Sequence, residues 1–157
     1  LATRINKWYV TSPRIKRAME FAGNNRVLAT YGDGLANIDI SKLMYFHKKH
    51  NKLATVTAVR PPSRFGRLDI KDDMVIHFAE KPQAAEGWIN GGFFVCQPDF
   101  FGLIKDDFTI LERDPLENAA RQNQLMAYKH EGFWQCMDTK RDKDILHKVL
   151  SSKKIKF

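Results

Sequence analysis

Apolar residues at Ile15, Ala18, Met19 and Ala22 recur at helical spacing, and Gly23-Asn24-Asn25 supplies a stop. Next comes Val27-Leu28-Ala29-Thr30, a short run of strand-forming character that leads into Tyr31-Gly32-Asp33-Gly34. That order predicts a buried strand with one carboxylate, Asp33, held between two glycines at its carboxyl end. Leu43, Met44, Phe46 and His47 predict a helix that ends near His50-Asn51, with Asp39 or Ser41 as its cap. Residues 53–59 alternate Ala and Val with Thr, which reads as a largely buried strand closed by Pro61-Pro62. A strand, a helix and a strand in this order predict a right-handed βαβ unit and a parallel pair.

The texture changes after Phe65. Leu68-Asp69-Ile70 and Met74-Val75-Ile76-His77-Phe78 flank Lys71-Asp72-Asp73 and read as a hairpin. A polar loop over residues 83–87 leads into Trp88-Ile89-Asn90-Gly91-Gly92-Phe93-Phe94-Val95, a strand with a glycine pair embedded in it. Paired glycines in a strand mark a bulge or a place where a ligand meets the backbone. Pro98 precedes a short helix with Phe100, Phe101, Leu103 and Ile104, and Pro115 opens a second one that runs to about Gln122. Residues 124–128 and 132–137 read as short strands, and a last helix from Thr139 or Arg141 carries Ile145, Leu146, Val149 and Leu150.

Four segments set polar groups just beyond strands: Asp33, Glu80-Lys81, Asn90-Gly91-Gly92 and Asp138. Open α/β sheets gather ligands at that edge. Each segment also has an ordinary reading. Gly-Asp-Gly is a common turn, Glu80 and Lys81 are a possible surface pair, Asn90 suits a turn, and Asp138 before Thr139 suits a helix cap.

Composition narrows the class. At 157 residues with 43% hydrophobic content, residues 1–157 are expected to form a single globular domain. Two cysteines, Cys96 and Cys136, support neither a disulfide framework nor a zinc site and suit a reducing, cytoplasmic setting. No apolar run is long enough to span a bilayer, and Leu1-Ala2-Thr3-Arg4 lacks the apolar segment of a secretory signal, so no membrane partner is expected. The net charge of +8 gathers in Arg14-Ile15-Lys16-Arg17, His47-Lys48-Lys49-His50 and Lys153-Lys154-Ile155-Lys156. The second and third clusters read as solvated helix ends. Without an interleaved aromatic and basic recognition motif, nucleic acid is not an expected partner.

Taken in order, Tyr31-Gly32-Asp33-Gly34, Arg64-Phe65-Gly66, Phe78-Ala79-Glu80-Lys81-Pro82, Trp88-Ile89-Asn90-Gly91-Gly92-Phe93-Phe94 and Gly132-Phe133-Trp134-Gln135-Cys136-Met137-Asp138-Thr139 resemble the sugar-1-phosphate nucleotidylyltransferases. Within them the chain closely resembles the glucose-1-phosphate cytidylyltransferases, which make CDP-glucose from CTP and glucose 1-phosphate. The resemblance implies an α/β fold, a partial nucleotide-diphospho-sugar transferase (Rossmann-like) mixed sheet with flanking helices. It implies that Asp33 and Asp138 hold Mg²⁺ and that these two and Lys81 are catalytic. Gly32 and Asp33 would meet nucleotide. Gly66, Glu80, Lys81, Asn90 and Gly91 would bind the sugar phosphate, Glu80 at sugar hydroxyls and Lys81 at the phosphate. Arg14 and Lys16 read first as solvated charge, with added phosphate attraction as the second reading.

The chain departs from the family at its start. The family opens with a Gly-Gly-x-Gly-Thr-Arg loop that cradles the triphosphate, and Leu1-Ala2-Thr3-Arg4-Ile5 does not reproduce it. Ser12-Pro13 stands where close relatives have two glycines. The expectation is a domain truncated at its amino-terminal half, with impaired turnover. It would be completed by that half or by a homo-oligomer, or would act as a non-catalytic sugar-phosphate-binding or assembly module.

Overall fold

A computed structural model describes residues 11–61, 67–79, 87–152 and 155. In chain order the elements are α1 (Thr11–Ala22), β1 (Val27–Thr30), β2 (Gly34–Ala36), α2 (Ile40–His50), β3 (Ala54–Val59), β4 (Arg67–Lys71), β5 (Met74–Ala79) and β6 (Ile89–Cys96). A 3₁₀ turn (Pro98–Leu103), α3 (Asp114–Arg121), β7 (Leu125–His130), β8 (Trp134–Cys136) and α4 (Lys140–Ser152) complete them. Helices are interspersed among runs of strands, and the fold is mixed α/β. Among the described residues no helix is long and apolar enough to cross a membrane.

Local chemistry sets the boundaries. Gly23 ends α1 in the left-handed region at φ 59°, donating its amide to the Met19 carbonyl. Asp39 caps α2 by accepting from the Lys42 amide, and Asn51 closes that helix at φ 51°. The two-residue turn between β4 and β5 puts Asp72 and Asp73 at φ 47° and 64°, the left-handed pair that a tight hairpin demands.

The chain divides into two compact units. The first takes in described residues through Gly32, together with Asp39–Thr57 and Gly92–Tyr128. It is organised on a four-stranded sheet of order β1-β6-β3-β7. Its core gathers Met19, Ala54, Phe94, Cys96, Phe100, Phe101, Ile104, Leu111, Leu116 and Ala119. Phe94 and Phe100 are fully buried, each contributing roughly 2–3 kcal/mol of hydrophobic stabilisation. The second unit takes in Asp33–Ile38, the described part of Ala58–Gly91, and the described residues from Lys129 onward. In it β2 pairs antiparallel with β8, and β4 with β5.

Three expectations need correction. β1 is not buried on both faces: Val27 and Ala29 turn inward while Leu28 is 40% exposed. Nor do β1 and β3 form a parallel pair, since β6 lies between them and runs antiparallel to β1, Val27 opposite Cys96 and Thr30 opposite Phe93. The physical reason is burial. Phe94, Val95 and Cys96 are apolar on both faces and claim an inner place, whereas one-sided β1 suits an edge. Third, the basic end of α2 is not wholly solvated. His47 is fully buried, its Nδ1 2.8 Å from the Thr55 hydroxyl, and His50 Nε2 approaches the same hydroxyl at 2.7 Å.

Candidate functional site

The second unit contains a junction that the chain pattern left unread. Gly34-Leu35-Ala36 is too short for a recognisable period, yet it pairs with Trp134-Gln135-Cys136, Gly34 facing Cys136. One step beyond that last pair, the Met137 amide donates to the Asp33 carbonyl at 2.9 Å. Asp33 therefore enters the ladder where Met137 and Asp138 leave it. Both aspartates are exposed.

Helix capping does not occupy Asp138. Thr139 and Asp142 do that work reciprocally: Asp142 Oδ2 accepts from the Thr139 amide at 2.9 Å, while Thr139 Oγ1 accepts from the Asp142 amide at 3.2 Å. Asp142 is buried and also accepts from Gln135 Nε2 at 3.2 Å, which fastens α4 to β8. The Asp138 carboxylate instead accepts from the Cys136 thiol at 3.2 Å.

Asn90 and Gly91 join the same unit. The Trp134 indole N–H donates to the Gly91 carbonyl at 2.8 Å, so the strand that delivers Asp138 also holds the Asn90-Gly91 segment. Asn90 is exposed at the start of β6 and Gly91 is buried. Trp134 belongs to a motif that carries the family resemblance, and its tether to Gly91 is visible only in the fold.

The embedded glycine pair serves packing at its second member. Gly92 stands at φ 77°, and a Cβ there would lie 2.6 Å from Tyr31 Cδ2. The group pressed against this backbone is the Tyr31 ring, which also meets Phe94 edge-on with centroids 5.4 Å apart. Tyr31 donates its amide to the Gly92 carbonyl at 2.9 Å and its hydroxyl to Glu112. Gly32, by contrast, faces open space, with nothing within 4 Å of a built Cβ.

Other candidates fall elsewhere. Gly66, Glu80 and Lys81 lie outside the described residues. Arg14 is exposed, whereas Lys16 does not reach outward for phosphate: its Nζ donates to the Ile104 carbonyl at 2.6 Å. Beside it Arg17 meets Asp107 at 3.0 Å. Burial pushes the Cys96 thiol up to about 12, which makes it an inert core group. Among the described residues no group of three or more His, Cys, Asp or Glu side chains could hold a metal ion. Two aspartates are nonetheless a sufficient donor set for Mg²⁺, which takes one or two carboxylates and completes its shell with phosphate oxygens and water.

A family model described as nucleotidyl transferase matches residues 10–140. The chain is 50% identical over 135 residues to the glucose-1-phosphate cytidylyltransferase of Salmonella typhimurium, covering 85% of this chain and 52% of that protein. It is 33% identical over 119 residues to the mannose-1-phosphate guanylyltransferase catalytic subunit beta of Dictyostelium discoideum, covering 73% of this chain and 33% of that one. The chain thus spans about half the length, or less, of these curated relatives. HddC from Yersinia pseudotuberculosis superposes with a TM-score of 0.67 at 19% identity, covering 93% of this chain and 64% of that structure, which shows the shared fold.

Proposed function

The chain belongs to the nucleotidyl transferase family, and on that premise we propose that it carries the metal and sugar-phosphate part of a glucose-1-phosphate cytidylyltransferase. The reaction joins a phosphate oxygen of glucose 1-phosphate to the α-phosphorus of CTP. A P–O bond forms there, the α–β phosphoanhydride bond breaks, and pyrophosphate leaves with the electron pair, giving CDP-glucose. Negative charge crowds at one phosphorus, so the protein's task is to position two anions and to offset their repulsion.

In this reading Asp33 and Asp138 hold Mg²⁺, which supplies charge neutralisation at the phosphates when bound. Glu80 accepts from sugar hydroxyls and Lys81 meets the sugar phosphate. Gly66, Asn90 and Gly91 line the hexose, with Gly32 leaving room for the nucleotide phosphates. The observation that carries the reading is the Met137-to-Asp33 hydrogen bond, which joins the backbone segments of the two aspartates. The choice of cytidine and glucose leans on the 50% identity to the Salmonella enzyme.

This chain spans 52% of the length of the Salmonella enzyme, and the turnover expected of it alone is slow. The test is CDP-glucose formation from CTP and glucose 1-phosphate with Mg²⁺, alongside calorimetric binding of glucose 1-phosphate. Slow product formation that stops in Asp33→Ala supports the proposal. Binding without product would make the chain a sugar-phosphate-binding module, and neither binding nor product would refute both.

A further inference from the structure

Trp88, Arg60 and Lys129 come together at the ends of three neighbouring strands. Trp88 immediately precedes β6, Arg60 immediately follows β3, and Lys129 lies near the end of β7, strands that are consecutive in the sheet. The Arg60 guanidinium carbon lies 4.6 Å from the Trp88 ring centroid, and Lys129 Nζ lies 5.6 Å from it. All three residues belong to the unit that contains Asp33 and Asp138.

Two cations centred on one ring stand within roughly 10 Å of each other, about one Debye length at ordinary ionic strength. They repel, and among the described residues no carboxylate offsets either of them. Three other described cations do have carboxylate partners: Arg17 with Asp107, Lys42 with Asp39 and Arg121 with Glu117. Arg60 and Lys129 are both exposed, so an anion can reach them without dehydrating a buried site. The indole holds each side chain against its own flexibility through its negative face. An arginine fork and a lysine point charge gathered at one ring suit a phosphorylated ligand, whose phosphate accepts paired N–H bonds from the former and is attracted by the charge of the latter.

We propose that Arg60 and Lys129, steadied on the Trp88 ring, form a binding site for the phosphate group of a phosphorylated ligand. The identity of that ligand rests on the cytidylyltransferase reading, in which it is either glucose 1-phosphate or the pyrophosphate product. The site itself needs only the geometry.

Calorimetry on the whole chain without Mg²⁺ tests it, using glucose 1-phosphate, inorganic pyrophosphate and unphosphorylated glucose as probes. Arg60→Gln and Lys129→Gln are each expected to weaken binding of one phosphorylated probe about tenfold, and the double variant more, with glucose showing no heat. Thermal unfolding of each variant checks that the fold is kept. Selective loss of glucose 1-phosphate binding assigns the site to substrate, and selective loss of pyrophosphate binding assigns it to product. A double variant that binds both anions like the parent, or a parent that binds neither at millimolar concentration, overturns the site. Asp33→Ala separates the two proposals. Losing turnover there while metal-free phosphate binding persists supports both. An Arg60→Gln effect on binding in a chain that never forms CDP-glucose sinks the enzymatic reading and leaves the phosphate site standing.

Discussion

The amide of Met137 donates to the carbonyl of Asp33 across 2.9 Å, one step past the last pair of the β2–β8 ladder. More than half the chain separates the two residues, and a ladder of three residues on each side brings them together. A slip of one position in so short a ladder would exchange Asp138 for a neighbour and turn its side chains to the other face. Trp134 guards against that slip, since its indole N–H is already committed to the Gly91 carbonyl.

Gly92 is expected to tolerate no side chain. Gly92→Ala sets a methyl 2.6 Å from the Tyr31 ring on a backbone at φ 77°. The overlap and the strain together are expected to cost about 2–4 kcal/mol in urea unfolding. A loss below about 0.5 kcal/mol would mean that Tyr31 can leave its seat on Gly92 freely.

The start of α4 offers a graded test. Thr139→Ala removes one half of the reciprocal cap and is expected to cost about 1 kcal/mol. Asp142→Ala leaves the Thr139 amide and Gln135 Nε2 without their carboxylate acceptor and is expected to cost more, about 2–3 kcal/mol. Chemical denaturation that ranks the two in the opposite order would contradict this account of how α4 is fastened to β8.

His47 gives the chain an acid-sensitive step. Burial first, then the charges of His50 and Arg26, lower its pKa from 6.5 to about 4. Between those values the unfolded chain binds a proton that the folded one refuses, so stability rises with pH in that window. The contribution is complete above about pH 6.5 and is lost as pH falls toward 4, with a slope of up to about 1.4 kcal/mol per pH unit. His47→Gln is expected to flatten the urea midpoint against pH between 4 and 6.5. An unchanged profile would place the acid sensitivity elsewhere.

Much of the fold was legible because its elements carry strong local marks. Gly23, Asp39, Asn51, Pro98 and Pro115 stand at or beside the ends of their elements, and Asp72-Asp73 marks the hairpin turn. What escaped were facts of partner choice. The place of β6 between β1 and β3 depends on which strand is buried on both faces, and the alternation of one segment does not reveal its neighbours. Gly34-Leu35-Ala36 has too few residues to show any period, and its pairing is what gathers the candidate site. His47 belongs both to the periodic face of its helix and to the basic cluster at the helix end, and its contact with Thr55 on β3 is visible only in the fold.

The most direct measurement is the Mg²⁺ dependence of CDP-glucose binding in the parent chain, Asp33→Asn and Asp138→Asn. Both positions are exposed and asparagine keeps their shape, so the fold is expected to survive. If the two aspartates share one ion, Mg²⁺ strengthens binding about tenfold or more in the parent, and either substitution abolishes the gain. Equal Mg²⁺ enhancement in all three proteins would contradict the account.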